Sequence, residues 1–273
     1  MKPDPAQNPR AKRTVGWFSK MALEDGLAMG GCLLCQALRR SVRQYLFSFI
    51  YEGMMSGDAR GDFLKGGGFC QLHFWQAKGI EDECWPDGFG VSILCENLLS
   101  RSLKDLASSI ESGASPKAPF ARFRKRAEKR SKRFDLIPGV GCIACAMLGN
   151  SEEHYLESLE ELLEEPDFAG RYRQSQGICL RHLQAAVEHW ESSAALELAR
   201  TTAEKCVRQL IGELEEFQRK HDYRFKHEHR GSEWSSPQRA IAFLVGQRFD
   251  LLAFEELRSA PKRGSPVSHH GSK

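Results

Sequence analysis

No run of about 18 apolar residues occurs anywhere in the 273-residue chain, so no segment is expected to cross a membrane as a helix. The opening Met1-Lys2-Pro3-Asp4-Pro5 carries no apolar core behind its charge, so no secretory leader is expected. Charge imbalance is also lacking. Lys and Arg number 39 against 36 Asp and Glu, a formal net charge of +3, so the chain as a whole is no obvious nucleic-acid binder and any basic contact surface must be local. Period-two runs of β-branched residues long enough for a sheet are missing too, which points away from β architecture. Hydrophobic residues at 41% suffice for a buried core, and 27% charged is ordinary for a soluble chain.

Cysteine is plentiful: there are nine. With no export route expected, a cytoplasmic protein with reduced thiols follows, and paired Cys-x-x-Cys then reads as metal-binding or redox chemistry rather than structural disulfide. Six of the nine fall in a duplicated pattern. Gly31-Cys32-Leu33-Leu34-Cys35 is followed by Gly68-Phe69-Cys70-Gln71-Leu72-His73. Gly141-Cys142-Ile143-Ala144-Cys145 is followed by Gly177-Ile178-Cys179-Leu180-Arg181-His182. Residues 142 and 32 differ by 110, and residues 179 and 70 by 109, so one deletion aligns all eight ligand-type residues.

Around these motifs the apolar spacing is helical. Residues 16–29 form a short amphipathic stretch with Trp17, Phe18, Met21, Leu23 and Leu27. Leu38, Val42, Tyr45, Leu46, Phe49, Ile50 and Met54 step by three and four. Gly53 and Gly57 close that helix, Asp58 is placed to cap a short one through Leu64, and Gly66-Gly67-Gly68 turns the chain into Cys70. Residues 91–110 carry another stripe. In the second copy Tyr155, Leu156, Leu159, Leu162 and Leu163 repeat the long face, and Pro166-Asp167 starts the short helix. Leu196, Ala199, Ala203, Cys206, Leu210, Leu214 and Phe217 then mark a long amphipathic helix or coiled-coil arm, able to pair within or between chains. A last apolar segment runs from Ile241 to Val245.

The fold class expected is all-α: two tandem helical repeats, each clipped by its own Cys3His metal site, plus a long amphipathic C-terminal helix. The expected organisation is a disordered basic arm (1–15), a first metal-binding repeat (16–111), a linker with a basic segment (112–138), a second repeat with the long helix and C-terminal segment (139–249), and a mostly disordered tail (250–273).

The pattern of Gly-Cys-x-x-Cys, then Gly-[Phe/Ile]-Cys-x-x-His, twice over, followed by Lys220-x-Asp222-Tyr223-Arg224 and Trp234…Arg239-Ala240…Val245-Gly246, resembles a prokaryotic family, the domain-of-unknown-function family 6062, over roughly residues 30–246. The resemblance implies the boundaries and the doubled motif. It carries no established activity and leaves function open. Ile178 stands where the first copy has Phe69, a change that does not touch the ligand-type residues.

Three thiolates and one imidazole are a complete tetrahedral set for Zn²⁺. The sets expected are Cys32, Cys35, Cys70 and His73 in one repeat, and Cys142, Cys145, Cys179 and His182 in the other. Four protein ligands close a site, which makes it structural rather than catalytic. The expectation is two zinc ions per chain. Chance clustering of buried thiols is the bland alternative, and duplication argues against it. An iron–sulfur cluster is the chemical alternative, serving electron transfer or enzyme maturation. Covalent haem is excluded, because Gln36 and Ala146 stand where Cys-x-x-Cys-His needs histidine. A zinc hydrolase would need an open position, with Glu52 or Glu153 as base.

The remaining features have bland readings beside sharper ones. Residues 122–133 hold eight basic side chains and one acidic one; Arg122, Arg124, Lys125, Arg126, Lys129, Arg130, Lys132 and Arg133 form a solvated linker or a phosphate contact for nucleic acid. His221, His227 and His229 form a solvated segment rather than a second metal site, with Arg224 and Glu228 spaced to pair on a helix. Trp234 is expected in the core, and Cys84, Cys95 and Cys206 as small apolar fillers. The function expected is a metal-stabilised helical interaction or adaptor protein without a catalytic role, with another protein or a second copy of the chain as partner.

Overall fold

The computed structural model describes residues 15–85, 88–111, 141–225 and 227–247, and of 105–111 the backbone. The N-terminal arm through residue 14, the linker and basic segment over 112–138 (including Arg122, Arg124, Lys125, Arg126, Lys129, Arg130, Lys132 and Arg133) and the tail 250–273 lie outside the described residues.

The three-and-four spacing becomes helix. Among the described residues there are ten α-helices and no strand. They are α1 Trp17–Met29, α2 Leu33–Tyr51, α3 Gly57–Lys65, α4 Gln71–Cys84, α5 Phe89–Glu111, α6 Ile143–Leu162, α7 Pro166–Gln174, α8 Leu180–His189, α9 Ser193–Arg219 and α10 Ser236–Val245. The periodic positions of α2 are the ones that bury: Leu38, Val42, Leu46, Phe49 and Ile50. No described helix is long and apolar enough to cross a membrane.

Helix boundaries follow local chemistry. The cap of α3 is Ser56, whose side chain accepts from the Ala59 amide; Asp58, expected as the cap, sits in the first turn instead, where its charge favours the helix N-terminus. Pro166 occupies the start of α7, where its missing N–H costs no bond. Ser192 caps α9 by accepting from Ala195.

The chain divides into two compact units: residues 1–41 with 149–273, and residues 42–148. The division falls within α2 and within α6, so each unit takes residues from both copies of the sequence pattern. In the first unit, Leu33, Leu34 and Ala37 from the start of α2 bury against Leu156, Leu159 and Leu162 from the end of α6, with Phe168, Tyr172 and Trp190 completing the core. The Trp190 indole donates to the Leu156 carbonyl at 3.0 Å, so this buried ring leaves no polar atom unpaired. In the second unit, Phe49 near the end of α2 meets Phe63 and Phe69, with ring centroids 5.6 and 5.2 Å away, and Phe63 and Phe69 lie 5.0 Å apart edge to face.

Helix α9, which holds the Leu196–Phe217 stripe, packs inside the first unit on α7, α8 and α10. Past it the chain departs from expectation. Tyr223–Phe225 is a single 3-10 turn. Arg224 pairs with Asp222 at 2.7 Å, while Glu228 pairs with Arg219, so the expected Arg224–Glu228 pair does not form. Without a continuing α-helix the four-residue spacing has no common face. Trp234, expected in the core, is half-buried: it stacks on His221 with centroids 5.2 Å apart, and Arg230 covers it at 4.0 Å. Cys84, Cys95 and Cys206 are partly buried, each thiol pushed up by burial, as expected of fillers.

Two glycines, one in the turn before Cys70 and one inside α6, respond oppositely to a side chain. Gly68 has φ +93°, and a Cβ there would meet Leu98 Cδ1 at 2.7 Å. Gly149 lies in α6 with nothing within 4 Å. Gly68→Ala should destabilise by about 1–3 kcal/mol, from strained backbone plus the clash. Gly149→Ala should stabilise by about 0.5–1 kcal/mol from helix propensity alone. Urea unfolding of both variants checks the opposite signs.

Candidate metal centres

Each cysteine arrives at its place through a helix start. Cys70 is the N-cap of α4 and Cys179 of α8, with near-identical backbones (φ −67°, ψ 168° and φ −69°, ψ 165°). A histidine three residues on lies in the first helical turn and turns Nδ1 back to its cysteine: Cys70 Sγ to His73 Nδ1 is 3.2 Å, and Cys179 Sγ to His182 Nδ1 is 3.2 Å. Cys32 and Cys142 directly precede α2 and α6, and Cys35 and Cys145 lie in the first turns. The local spacing thus delivers two ligand-type atoms from each motif.

The pairing of motifs is a correction to the sequence reading. The two groups are Cys32, Cys35, Cys179 and His182, and Cys70, His73, Cys142 and Cys145. Each joins the Cys-x-x-Cys of one copy to the Cys-x-x-His of the other, so neither repeat is clipped to itself. Backbone bonds accompany the crossing: the Leu33 amide donates to Gly177 O at 3.3 Å, and the Gly141 amide to Gly66 O at 3.0 Å. The physical reason is length. Helix α2 has 19 residues and carries the chain about 28 Å away from Cys32. Helix α3 has only nine residues, and Phe69, next to Cys70, packs on Phe49 near the end of α2.

In both groups the donor atoms lie within 4.8 Å of one another. In the first, Cys32 and Cys35 Sγ are 3.2 and 3.6 Å from His182 Nδ1, and Cys35 and Cys179 Sγ are 4.0 Å apart. In the second, Cys142 and Cys145 Sγ are each 3.4 Å from His73 Nδ1, and Cys70 and Cys145 Sγ are 3.7 Å apart. A tetrahedron with bonds of about 2.3 Å to sulfur and 2.0–2.1 Å to nitrogen has edges of about 3.8 Å between sulfurs and about 3.6 Å from sulfur to nitrogen. The two groups fit such an ion, and each could hold one metal.

Electrostatics lead to the same chemistry. Burial, then the neighbouring thiols Cys179 and Cys35, push the Cys32 thiol well up. The Cys145 thiol is pushed up to about 12 by burial and by Cys142 and Cys70. Hydrogen bonds from Cys32 and Cys35 hold the Cys179 thiol far down. The neighbouring His182 is raised to about 11: burial opposes its charge, but Cys179, Cys35 and Glu152 outweigh it. Three thiolates cannot crowd together unless a cation replaces their protons, so ionising all of them needs a metal.

The two groups differ in their surroundings. In the first, all four residues are buried. The Gln247 amide reaches Cys35 Sγ at 3.5 Å, so the chain past α10 returns over this group. Glu152 Oε1 lies 3.2 Å from His182 Nε2, short of full hydrogen-bond alignment, and is itself held down by that imidazole. A cavity of about 320 Å³ lies beside it, lined in part by Cys32, Cys179, Arg239 and Gln247. In the second group His73 and Cys142 are buried, Cys70 is half-buried and Cys145 is exposed. Nε2 of His73 is buried without a hydrogen-bond partner among the described residues, and burial lowers the imidazole's proton affinity.

Sequence reasoning missed Glu152 and Gln247. Residue 152 is offset by 110 from residue 42, a valine, so duplication gave no signal for the carboxylate. For Gln247 the only hint was the Val245-Gly246 end of the family pattern. Glu52 and Glu153, considered as bases, are solvent-exposed and belong to neither group. His221 gives Nδ1 to the Phe217 carbonyl at 2.8 Å, and among the described residues it forms no donor group with His227 or His229.

The family of unknown function DUF6062 matches residues 20–250. The chain belongs to this family. The matched residues include all eight donors and the Gly246–Gln247 return of this chain. A similar protein is the uncharacterized 23.9 kDa protein in the xynA 3′ region of Caldicellulosiruptor sp. (strain Rt8B.4), 21% identical over 224 residues, covering 79% of this chain and 95% of that protein. No solved structure matches.

Proposed function

We propose that this DUF6062 chain is a zinc-stabilised helical interaction protein, with two structural ions each held by three cysteines and a histidine. The observation that carries the reading is the fit of both donor groups to a single tetrahedral ion with all four positions filled by protein. A site so closed supplies no water for hydrolysis, and its ion ties distant helix starts together. The iron–sulfur alternative has less support. Cluster ligands sit on different iron atoms and spread apart, whereas these donors lie within 4.8 Å. An interaction role is supported by large apolar side chains left in water, among them Trp17, Phe18 and Trp75, which are 67%, 77% and 72% exposed. We place the protein in the cytoplasm, where free thiols persist. Nucleic-acid contact through residues 122–133 stays a separate proposal, tested by whether affinity falls steeply with salt.

Elemental analysis and an absorbance spectrum of protein purified without oxygen test the central reading. Two zinc per chain and no visible band are expected. Iron with sulfide, or no metal at all, would sink it.

A further inference from the structure

We propose that Cys145 is an oxidation site for hydroperoxides, with Cys70 as its disulfide partner, so that the group around His73 is the one that releases its metal. The inference rests on the metal reading above and deepens it by separating the two groups. Cys145 is the single exposed cysteine of the nine, and Cys70, half-buried, lies 3.7 Å away sulfur to sulfur. An oxidant must reach the sulfur it oxidises, so exposure singles out Cys145. The group around His182 lacks that exposure. Its cysteines are buried, with Cys32 6%, Cys35 2% and Cys179 0% exposed even beside the cavity. The Gln247 amide occupies Cys35 Sγ, and Glu152 stands behind His182, whereas no hydrogen-bond partner meets Nε2 of His73 among the described residues.

The chemistry balances. The Cys145 thiolate attacks one peroxide oxygen, an S–O bond forms, the O–O bond breaks, and hydroxide leaves to become water with one proton. The Cys70 thiolate then attacks the oxidised sulfur. An S–S bond forms, the S–O bond breaks, and a second hydroxide takes a second proton. Two thiolates lose two electrons and the peroxide gains them. The sulfurs close from 3.7 Å to about 2.0 Å. Cys142 and His73 then remain as the only donors of that group, too few to hold an ion.

The test treats the zinc-loaded full chain with hydrogen peroxide, follows zinc with a chromogenic chelator, and maps the oxidised cysteines by mass spectrometry. One of two equivalents should leave at least about tenfold faster than the other, a gap of the size that outer-shell partners produce. The first disulfide mapped should join Cys70 and Cys145. Release of both ions at one rate, or first oxidation at Cys32, Cys35 or Cys179, would overturn the proposal. Cys70→Ser should leave Cys145 as a sulfenic acid that dimedone traps. If that variant misfolds, the map of the unaltered chain still decides. Absence of zinc at the outset would count against the metal reading instead, since the map of first oxidation needs no metal.

Discussion

A chain carrying Cys32→Ser with Cys179→Ser should keep one metal ion, while Cys32→Ser with Cys70→Ser should keep none. The two double variants remove the same kinds of ligand, one from a Cys-x-x-Cys and one from a Cys-x-x-His. They differ only in whether the pair shares a group. Cys32 and Cys179 belong to one group, so the other, around His73, retains all four donors. Cys32 and Cys70 belong to different groups, so both lose a thiolate. Pairing within each repeat predicts the reverse. Metal counting on the two purified variants separates the outcomes by a whole equivalent. Two remaining ligands from a set of four do not hold zinc, and three with a serine hold it far more weakly, so a competing chelator in the buffer sharpens the result.

Removing both ions should abolish cooperative unfolding. Structural zinc contributes about 10–16 kcal/mol of apparent binding free energy in small zinc-finger peptides, against about 5–15 kcal/mol for the whole stability of a typical domain. The units have apolar cores of their own, which include Leu33, Leu159 and Tyr172 in one and Phe63 and Phe69 in the other. Helix should therefore persist in part while fixed packing is lost. With a strong chelator, far-UV circular dichroism should fall partly and the near-UV signal of rings such as Trp190 should vanish. A metal-free chain that melts within a few degrees of the loaded one would mean that the ions are not structural. The crossing makes the effect larger than in an isolated finger. Each ion would fix segments about 150 or 70 residues apart, as the Cys32–His182 and His73–Cys142 contacts show, so its loss would free long loops.

Much of this was open to reading. The helical stripe of α2 is visible because a buried face must recur every three to four residues, and Leu38, Val42, Leu46 and Phe49 do so. The donors are visible because thiol and imidazole at a spacing of three meet at a helix start, whatever lies beyond. Cys70 with His73 and Cys179 with His182 are local facts of that kind. Capping was legible only to within two residues, since Ser56 and Asp58 offer similar oxygens. The Arg224–Glu228 pair failed because its spacing presumes a helix that ends too soon.

By itself the sequence determined the all-helical class, the doubled motif and the eight donors, all of which depend on residues a few positions apart. Tertiary structure alone decided which half-site meets which. The two Cys-x-x-Cys motifs are locally alike, as are the two Cys-x-x-His motifs, and no short-range rule distinguishes a partner in the same repeat from one in the other. The choice goes with a 19-residue α2 that leaves Cys32 at its start, while Phe69, next to Cys70, packs on Phe49 near its end. Glu152 and Gln247 came the same way. A carboxylate thirty residues from the histidine it faces and an amide over two hundred residues from the cysteine it meets acquire meaning only when the fold sets them beside the donors.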